Sequence, residues 1–395
     1  MKLYLNALGI VTPLGVGKES VAINLFAGSR SGLIERHDIV PDRPARVGAV
    51  DMDLPLIPDS LRDFDCRNNR LALAALQEIE PDVTTAIRRY GKDRIAVIVG
   101  TSTSGLAEGE EALAIRLRKG SWPPDFRYSQ QELGNVAEFV ARVLGVDGPA
   151  YTVATACSSS GKAFASAQRL LEAGLCDAAI VGGVDALCRM TVNGFHALES
   201  LAVGYCQPFS RNRDGINVGE GAAIFLVSRE PGPVLLLGVG ESSDAHHISA
   251  PDPQGTGAIR AMQLALNTAS IPPSAIDYVN LHGTGTRLND HMEGHAIARM
   301  FGTGIFCSST KSMSGHMLGA AGAGEAAFLW LALNPEFSQG RLPPHVWDGA
   351  ADPEIPALNL VSIGTRTGLK TRSAMLSNSF AFGGSNVALV LGRGW

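Results

Sequence analysis

The feature that most limits how this chain can fold is a weak internal repeat. Three segments of the first half find counterparts, in the same order, in the second. IAVIVGTSTSG at 95–105 matches YVNLHGTGT at 278–286, each a β-prone run opening into a Gly/Thr-rich loop. VATACSSSGKAFASAQRLL at 153–171 has a partner in IFCSSTKSMSGHMLGAAGAGEAAFLWL at 305–331, and GEGAAIFLV at 219–227 lines up with GGSNVALVL at 383–391. Glycine and alanine are common enough for any one match to be chance, but the ordered set points to two copies of one α/β unit. The copies meet near Pro231–Pro233, giving halves of residues 1–232 and 233–395. Cys157 and the 311–325 segment then occupy equivalent places, and a pseudo-twofold axis would bring them together.

Local patterns agree with this organisation. Strand-like runs at Ile95–Val99, Ala178–Val181, Ala223–Val227, Val234–Leu237, Tyr278–Leu281 and Val387–Leu391 alternate with helix-like segments at Arg70–Glu80, Gly161–Ala173, Thr256–Ala269 and Gly322–Leu333. Alternation of this kind predicts an α/β fold with buried sheets. The 45 glycines are dispersed beside apolar runs, as tight turns and close backbone approaches require, and are not gathered into a linker.

Composition excludes several classes. A chain of 395 residues that is 45% hydrophobic can bury a large core. Its net charge of −5 speaks against a nucleic-acid surface. The N-terminal MKLYLNALGIVTPLG is broken by Gly9, Thr12, Pro13 and Gly15, so it reads as a strand and turn, and neither a signal segment nor a membrane span fits. Gly319–Leu333 contains Glu325 and is too short to span a bilayer. The six cysteines show no CxxC pair, which suits free thiols in a reducing compartment, and a cytoplasmic location is expected.

The chemistry-bearing residues lie in the repeated loops. Cys157 stands at a predicted strand-to-helix junction, where a helix N-terminus and unpaired N–H groups favour thiolate; taken alone, a single cysteine is more often a small core hydrophobe. Cys176, Cys188 and Cys307 lie in apolar stretches and are assigned to the core. His282 in LHGTGT and His316 in TKSMSGH each follow a strand and sit in a Gly/Ser/Thr loop, the kind of segment on which sites are built. Lys311 precedes His316 by five residues, and Glu325 is the one charge in an Ala/Gly-rich helix that reads as buried. Other motifs fall away. His291 and His295 are spaced for zinc, but HMEGH lacks the glutamate directly after the first histidine, so no metal is expected. GVGESSD lacks the third glycine of a dinucleotide fingerprint, and neither a GxxxxGK loop nor a GxSxG elbow occurs.

Taken in order, GIVTPLG, TACSSS, PFSRNRDGINVGEGAA, LHGTGTRLND, TKSMSGHMLGAAGAGE and LSNSFAFGGSN resemble the β-ketoacyl-ACP synthases over essentially the whole chain. The resemblance implies a thiolase-like fold, with two duplicated α/β halves in a five-layer αβαβα core. It implies a Cys-His-His site: Cys157 takes an acyl group from a carrier-protein thioester, and His282 and His316 support decarboxylative condensation with a malonyl carrier. Lys311 and Glu325 would hold the histidine network. The N–H groups of Cys157 and Phe382 would form an oxyanion hole, with Phe380, Ala381 and Phe382 as the acyl-pocket gate and Thr284 and Thr286 beside the pantetheine arm. No cofactor is implied, because phosphopantetheine arrives on the carrier.

Partners follow from the same resemblance. They are an acidic acyl carrier protein, for which Arg67, Arg70, Arg116, Arg118, Lys119 and Arg213 are docking candidates, and a second subunit. That subunit is either another copy or a cysteine-lacking chain-length partner, with no nucleic acid and no membrane involved. HGTGT in place of HGTST is similar to polyketide condensing enzymes, including specialised polyketide or aryl polyene ketosynthases. AFGG replaces the commoner GFGG at the gate. A thiolase would be expected to supply a second catalytic cysteine, an initiating condensing enzyme an asparagine in place of His316, and a non-catalytic chain-length subunit no Cys157.

Overall fold

The computed structural model describes residues 1–368 and 370–395. Five strands of the first half, β1 (Leu3–Thr12), β2 (Ile95–Gly100), β3 (Ala150–Val153), β4 (Ala178–Asp185) and β5 (Gly221–Ser228), pair in the order β3-β2-β4-β5-β1. Six of the second half, β6 (Val234–Ser243), β7 (Tyr278–Asn280), β8 (Phe306–Ser308), β9 (Asn359–Leu360), β10 (Ser373–Phe380) and β11 (Ser385–Arg393), pair in the order β6-β11-β10-β7-β8-β9. In each half a parallel trio, β3/β2/β4 or β8/β7/β10, continues into an antiparallel trio, β4/β5/β1 or β10/β11/β6. The three sequence matches fall on these equivalent elements. The sheets are not separate, however: Leu3–Leu5 of β1 pair with Val234–Leu236 of β6, so that, counting the short Gly15–Val16 strand paired with β1, one twelve-stranded sheet crosses the pseudo-axis.

Helices fill the layers. α1 (Arg67–Gln77) and α2 (Asn135–Leu144) cover the outer face of the first sheet, and α4 (Thr256–Ala269) with α5 (Arg287–Phe301) lie outside the second. Between the sheets run α3 (Ser159–Glu172) and α6 (Ala321–Leu333), each packed against strands of both halves and against the other. The result is an αβαβα sandwich with a central apolar cluster drawn from both halves and an outer cluster in each.

Physical requirements of the layers explain the local sequence. β2 and β4 are buried at every position, so IAVIVG and AAIVGGVD are apolar or small without alternation. All thirteen residues of α6 are buried, which accounts for a helix that is apolar around its whole circumference. Where α3 and α6 cross, a Cβ on Gly322 would stand 2.8 Å from the Gly161 nitrogen, so the crossing depends on glycine. The helix anticipated at Arg70–Glu80 lies at Arg67–Gln77. All six cysteines are free and buried. Among the described residues no helix is long and apolar enough to cross a membrane.

Candidate active site

Cys157 lies between the end of β3 and the first residue of α3, next to Ala156, which holds a left-handed φ of 51°. Its Sγ is 3.0 Å from His316 Nε2, and the backbone N–H groups of Cys157 and Phe382 both face the sulfur. Burial pushes the thiol up to about 12. Lys311 and the two N–H groups pull it down, and the Asp185 carboxylate adds to the upward push. The thiolate expected from a helix N-terminus is therefore not the resting form: desolvation outweighs the dipole and the donors.

His282 and His316 enter from two loops of the second half, those that follow β7 and β8. Their rings stand 5.4 Å apart and nearly perpendicular, and the donor atoms of Cys157, His282 and His316 lie within 4.8 Å of one another. Burial first, then the Lys311 charge, hold both imidazoles well below the usual histidine value, so both are neutral at pH 7. Lys311 Nζ donates to the His282 carbonyl at 2.5 Å, lies 3.4 Å from His282 Nδ1 and is ion-paired with Glu325. Both partners of that pair are buried, and desolvation raises the Glu325 carboxyl to about 7.

Two carboxylates that motif reading passed over hold the histidine loop. Glu293 accepts from the backbone N–H groups of His282 and Gly283, each at 2.7 Å. Asp290 accepts from those of Thr284, Gly285 and Phe209. Both side chains project from α5 and are fully buried. Glu293 stands inside HMEGH, where attention to the zinc spacing of the flanking histidines hides it. Those histidines have rings 4.6 Å apart, and His295 is directed at the Glu354 carbonyl. Among the described residues the one cluster compact enough to hold a metal ion is Cys157–His282–His316 itself.

Residues 6–231 match the β-ketoacyl synthase N-terminal domain and residues 234–346 the β-ketoacyl synthase C-terminal domain. The chain belongs to the β-ketoacyl synthase family. Synthases of this family are acyl-transferring condensing enzymes, and so is this chain. It is 31% identical to the 3-oxoacyl-[acyl-carrier-protein] synthase 2 of Synechocystis sp., covering 98% of this chain and 97% of that one. It is 33% identical to the Staphylococcus aureus enzyme of the same name, covering 99% and 98%. A solved structure of the ketosynthase ApeO in complex with its chain length factor ApeC, from Xenorhabdus doucetiae, aligns with a TM-score of 0.94 at 48% identity, covering 99% of this chain and 98% of that one. The ishigamide ketosynthase/chain length factor aligns at 0.88 and 28%, over 99% of both chains.

A cavity of about 250 Å³ reaches the synthase's cysteine, walled by Phe195, Phe380, Ala381 and Phe382, with Thr284 and Thr286 along its side. The two threonine hydroxyls are 2.8 Å apart. Phe380 is buried 5.9 Å from the His282 ring, whereas Phe382 is 38% exposed and rests on Phe195 at 5.6 Å. Gly383 and Gly384 take φ of 84° and 75°, and Gly383 donates to the Ile248 carbonyl, tying this turn to a neighbouring exposed loop.

The docking arginines fare differently. Arg213 is buried in an ion pair with Asp352 and bonds the Ser210 carbonyl, so it is a structural residue and not a surface contact. Arg67 is held by Glu220 and Arg70 by Asp65, and neither lines the cavity. Arg116, Arg118 and Lys119 form the exposed last turn of the Leu106–Lys119 helix, where cations complement the helix dipole. Among the described residues the one lysine or arginine lining the cavity is Arg287, exposed beside Leu288. It lies directly after the HGTGT loop, in RLND, and motif reading did not single it out.

Proposed function

We propose that this synthase performs a two-stage condensation on carrier-bound thioesters, with Cys157 as the residue that carries the acyl chain. The 3.0 Å contact between Cys157 Sγ and His316 Nε2, inside a cavity with aromatic walls, carries this reading. In the first stage Sγ bonds to the acyl carbonyl carbon as the thiol proton passes to neutral His316. The oxyanion is met by the N–H groups of Cys157 and Phe382. Collapse breaks the carbon–sulfur bond to pantetheine, and the departing sulfur takes the proton.

In the second stage a malonyl thioester enters beside Thr284 and Thr286. Lys311 Nζ facing His282 Nδ1 makes that nitrogen an acceptor and leaves the proton on Nε2. His282 Nε2–H then donates to the thioester oxygen as CO2 departs and negative charge builds, joined by His316 once its proton has moved from Nδ1 to Nε2. The enolate carbon attacks the Cys157 thioester. Sγ leaves and takes a proton supplied from solvent, and a 3-oxoacyl chain two carbons longer remains on the carrier. The reading needs no bound cofactor, since phosphopantetheine comes with the substrate, and it places the synthase in the cytoplasm with its carrier.

Within this reaction class we favour the catalytic subunit of a specialised polyketide or aryl polyene system, paired with a cysteine-lacking chain-length partner. The 48% identity to a ketosynthase/chain length factor structure, against 31–33% to the synthase 2 enzymes, supports it. HGTGT points the same way. In the carrier contact Arg287 takes the place assigned by sequence to Arg213. Incubation with an acyl-carrier thioester should add one acyl mass to the peptide containing Cys157. An adduct that persists in Cys157→Ala, or no adduct at all, would overturn the nucleophile assignment.

A further inference from the structure

Asp185, the last residue of β4, is fully buried, and every partner it has is an N–H or O–H donor. Its two oxygens face different halves of the molecule. Oδ1 accepts from the Thr101 hydroxyl at 2.6 Å and from the Ser102 N–H, the Thr103 N–H and the Thr103 hydroxyl, each at 2.8 Å, so it closes the loop after β2 within the first half. Oδ2 accepts from the Ser102 hydroxyl at 2.5 Å and, across to the second half, from the Gly319 N–H at 2.5 Å. The same Gly319 N–H lies 3.2 Å from Ser102 Oγ. If the carboxylate served only to close its own loop, Oδ1 would suffice.

Gly319 is three residues beyond His316. The chain holds the His316 backbone between Asn217 and Gly219, then turns through Leu318, which takes a left-handed φ of 48° that leucine adopts only under strain. A Cβ at Gly319 would be 2.8 Å from Asp185 Oδ2 and 2.8 Å from the Ser102 nitrogen, so the approach is as close as backbone allows. A strained turn keeps its shape only when its surroundings fix it at both ends. Asn217 and Gly219 fix one end, and Asp185 with Ser102 fixes the other.

We infer that Asp185 is a positioning residue for His316, its Oδ2 and the Ser102 hydroxyl anchoring the Met317–Gly319 turn and so setting the histidine against Cys157. This rests on the role given to His316 above. Separating the two oxygens experimentally tests it. Ser102→Ala removes a group on the Oδ2 side, Thr101→Val one on the Oδ1 side, and Asp185→Asn the charge; His316→Ala is the reference. In full-length synthase loaded with acyl chain, product formation against malonyl carrier should show kcat reduced about tenfold or more by Ser102→Ala and by Asp185→Asn. The KM for malonyl carrier should stay within about twofold, and Thr101→Val should leave kcat within about twofold despite a comparable loss of Tm. Normal kcat in Ser102→Ala, or kcat losses in both hydroxyl variants that simply track Tm, would overturn the inference. Full turnover in His316→Ala would instead remove the role of His316 itself, and this inference with it.

Discussion

At the scale of single residues, the resting state of Cys157 has a measurable signature. With the thiol pushed up to about 12, its thiolate fraction, and with it the rate of alkylation by iodoacetamide, should climb about tenfold per pH unit from pH 6 to pH 9 without levelling. The sign is that of a group held in its protonated form by burial: raising pH supplies reactive species throughout the range. A plateau below pH 8 would show that the α3 N-terminus and Lys311 prevail over desolvation. A second test belongs to the mouth of the cavity. Arg287→Ala should raise KM for an acyl-carrier thioester about tenfold while leaving a small acyl thioester unaffected, because a rim cation acts on the carrier and not on the acyl transfer. Arg213→Ala should instead lower Tm, with a stability loss of about 1–3 kcal/mol, since it strips a hydrogen-bond partner from the Ser210 carbonyl and from the half-buried Asp352. The contrast explains why the docking arginines were the least legible part of the sequence: nothing local in the chain distinguishes a buried arginine from one on an exposed rim.

At the scale of elements, the chemistry depends on segments whose sequence signals differed in kind. The strand-to-loop junctions carrying Cys157, His282 and His316 were legible because a β-prone run ending in a Gly/Thr/Ser loop is a local pattern, and its repetition marked equivalent positions. The carboxylates beneath them were not, because Glu293 and Asp290 act through backbone N–H groups of a loop they follow by several residues. Glu293→Ala should orphan two buried amides at about 1–3 kcal/mol each and should cut turnover by freeing the His282 loop. Glu293→Gln, able to accept at one amide, should recover part of both losses in Tm and kcat. Equal Tm losses with unchanged kcat would reduce Glu293 to a packing residue. α6 was legible as a helix at Gly322–Leu333, one residue short of its start at Ala321, but a helix buried on every side has no polar face to show which side meets which neighbour.

At the scale of the whole molecule, duplication was visible in the sequence and continuity was not. Three ordered matches disclosed the two α/β copies. The three residue pairs that join β1 to β6 are apolar segments like many others, and nothing in them announces that the two sheets merge. The merger has a functional consequence: Cys157 and the two histidines come from different halves, yet they share a single core in which α3 meets α6 at Gly161 and Gly322. The proposed second subunit has a stoichiometric signature at this scale. A cysteine-lacking partner would leave one reacting thiol per pair, whereas a homodimer would carry two. Co-expression with a ketosynthase-like chain lacking the cysteine should yield a 1:1 complex that takes up one acyl group at saturation. Its condensation turnover should exceed that of the isolated chain by about tenfold or more, as expected if the partner completes the acyl chamber. Native mass spectrometry of the acylated complex reads both stoichiometries together. A homodimer acylated twice, with undiminished turnover when expressed alone, would assign the synthase to the homodimeric branch and sink the heterodimer reading.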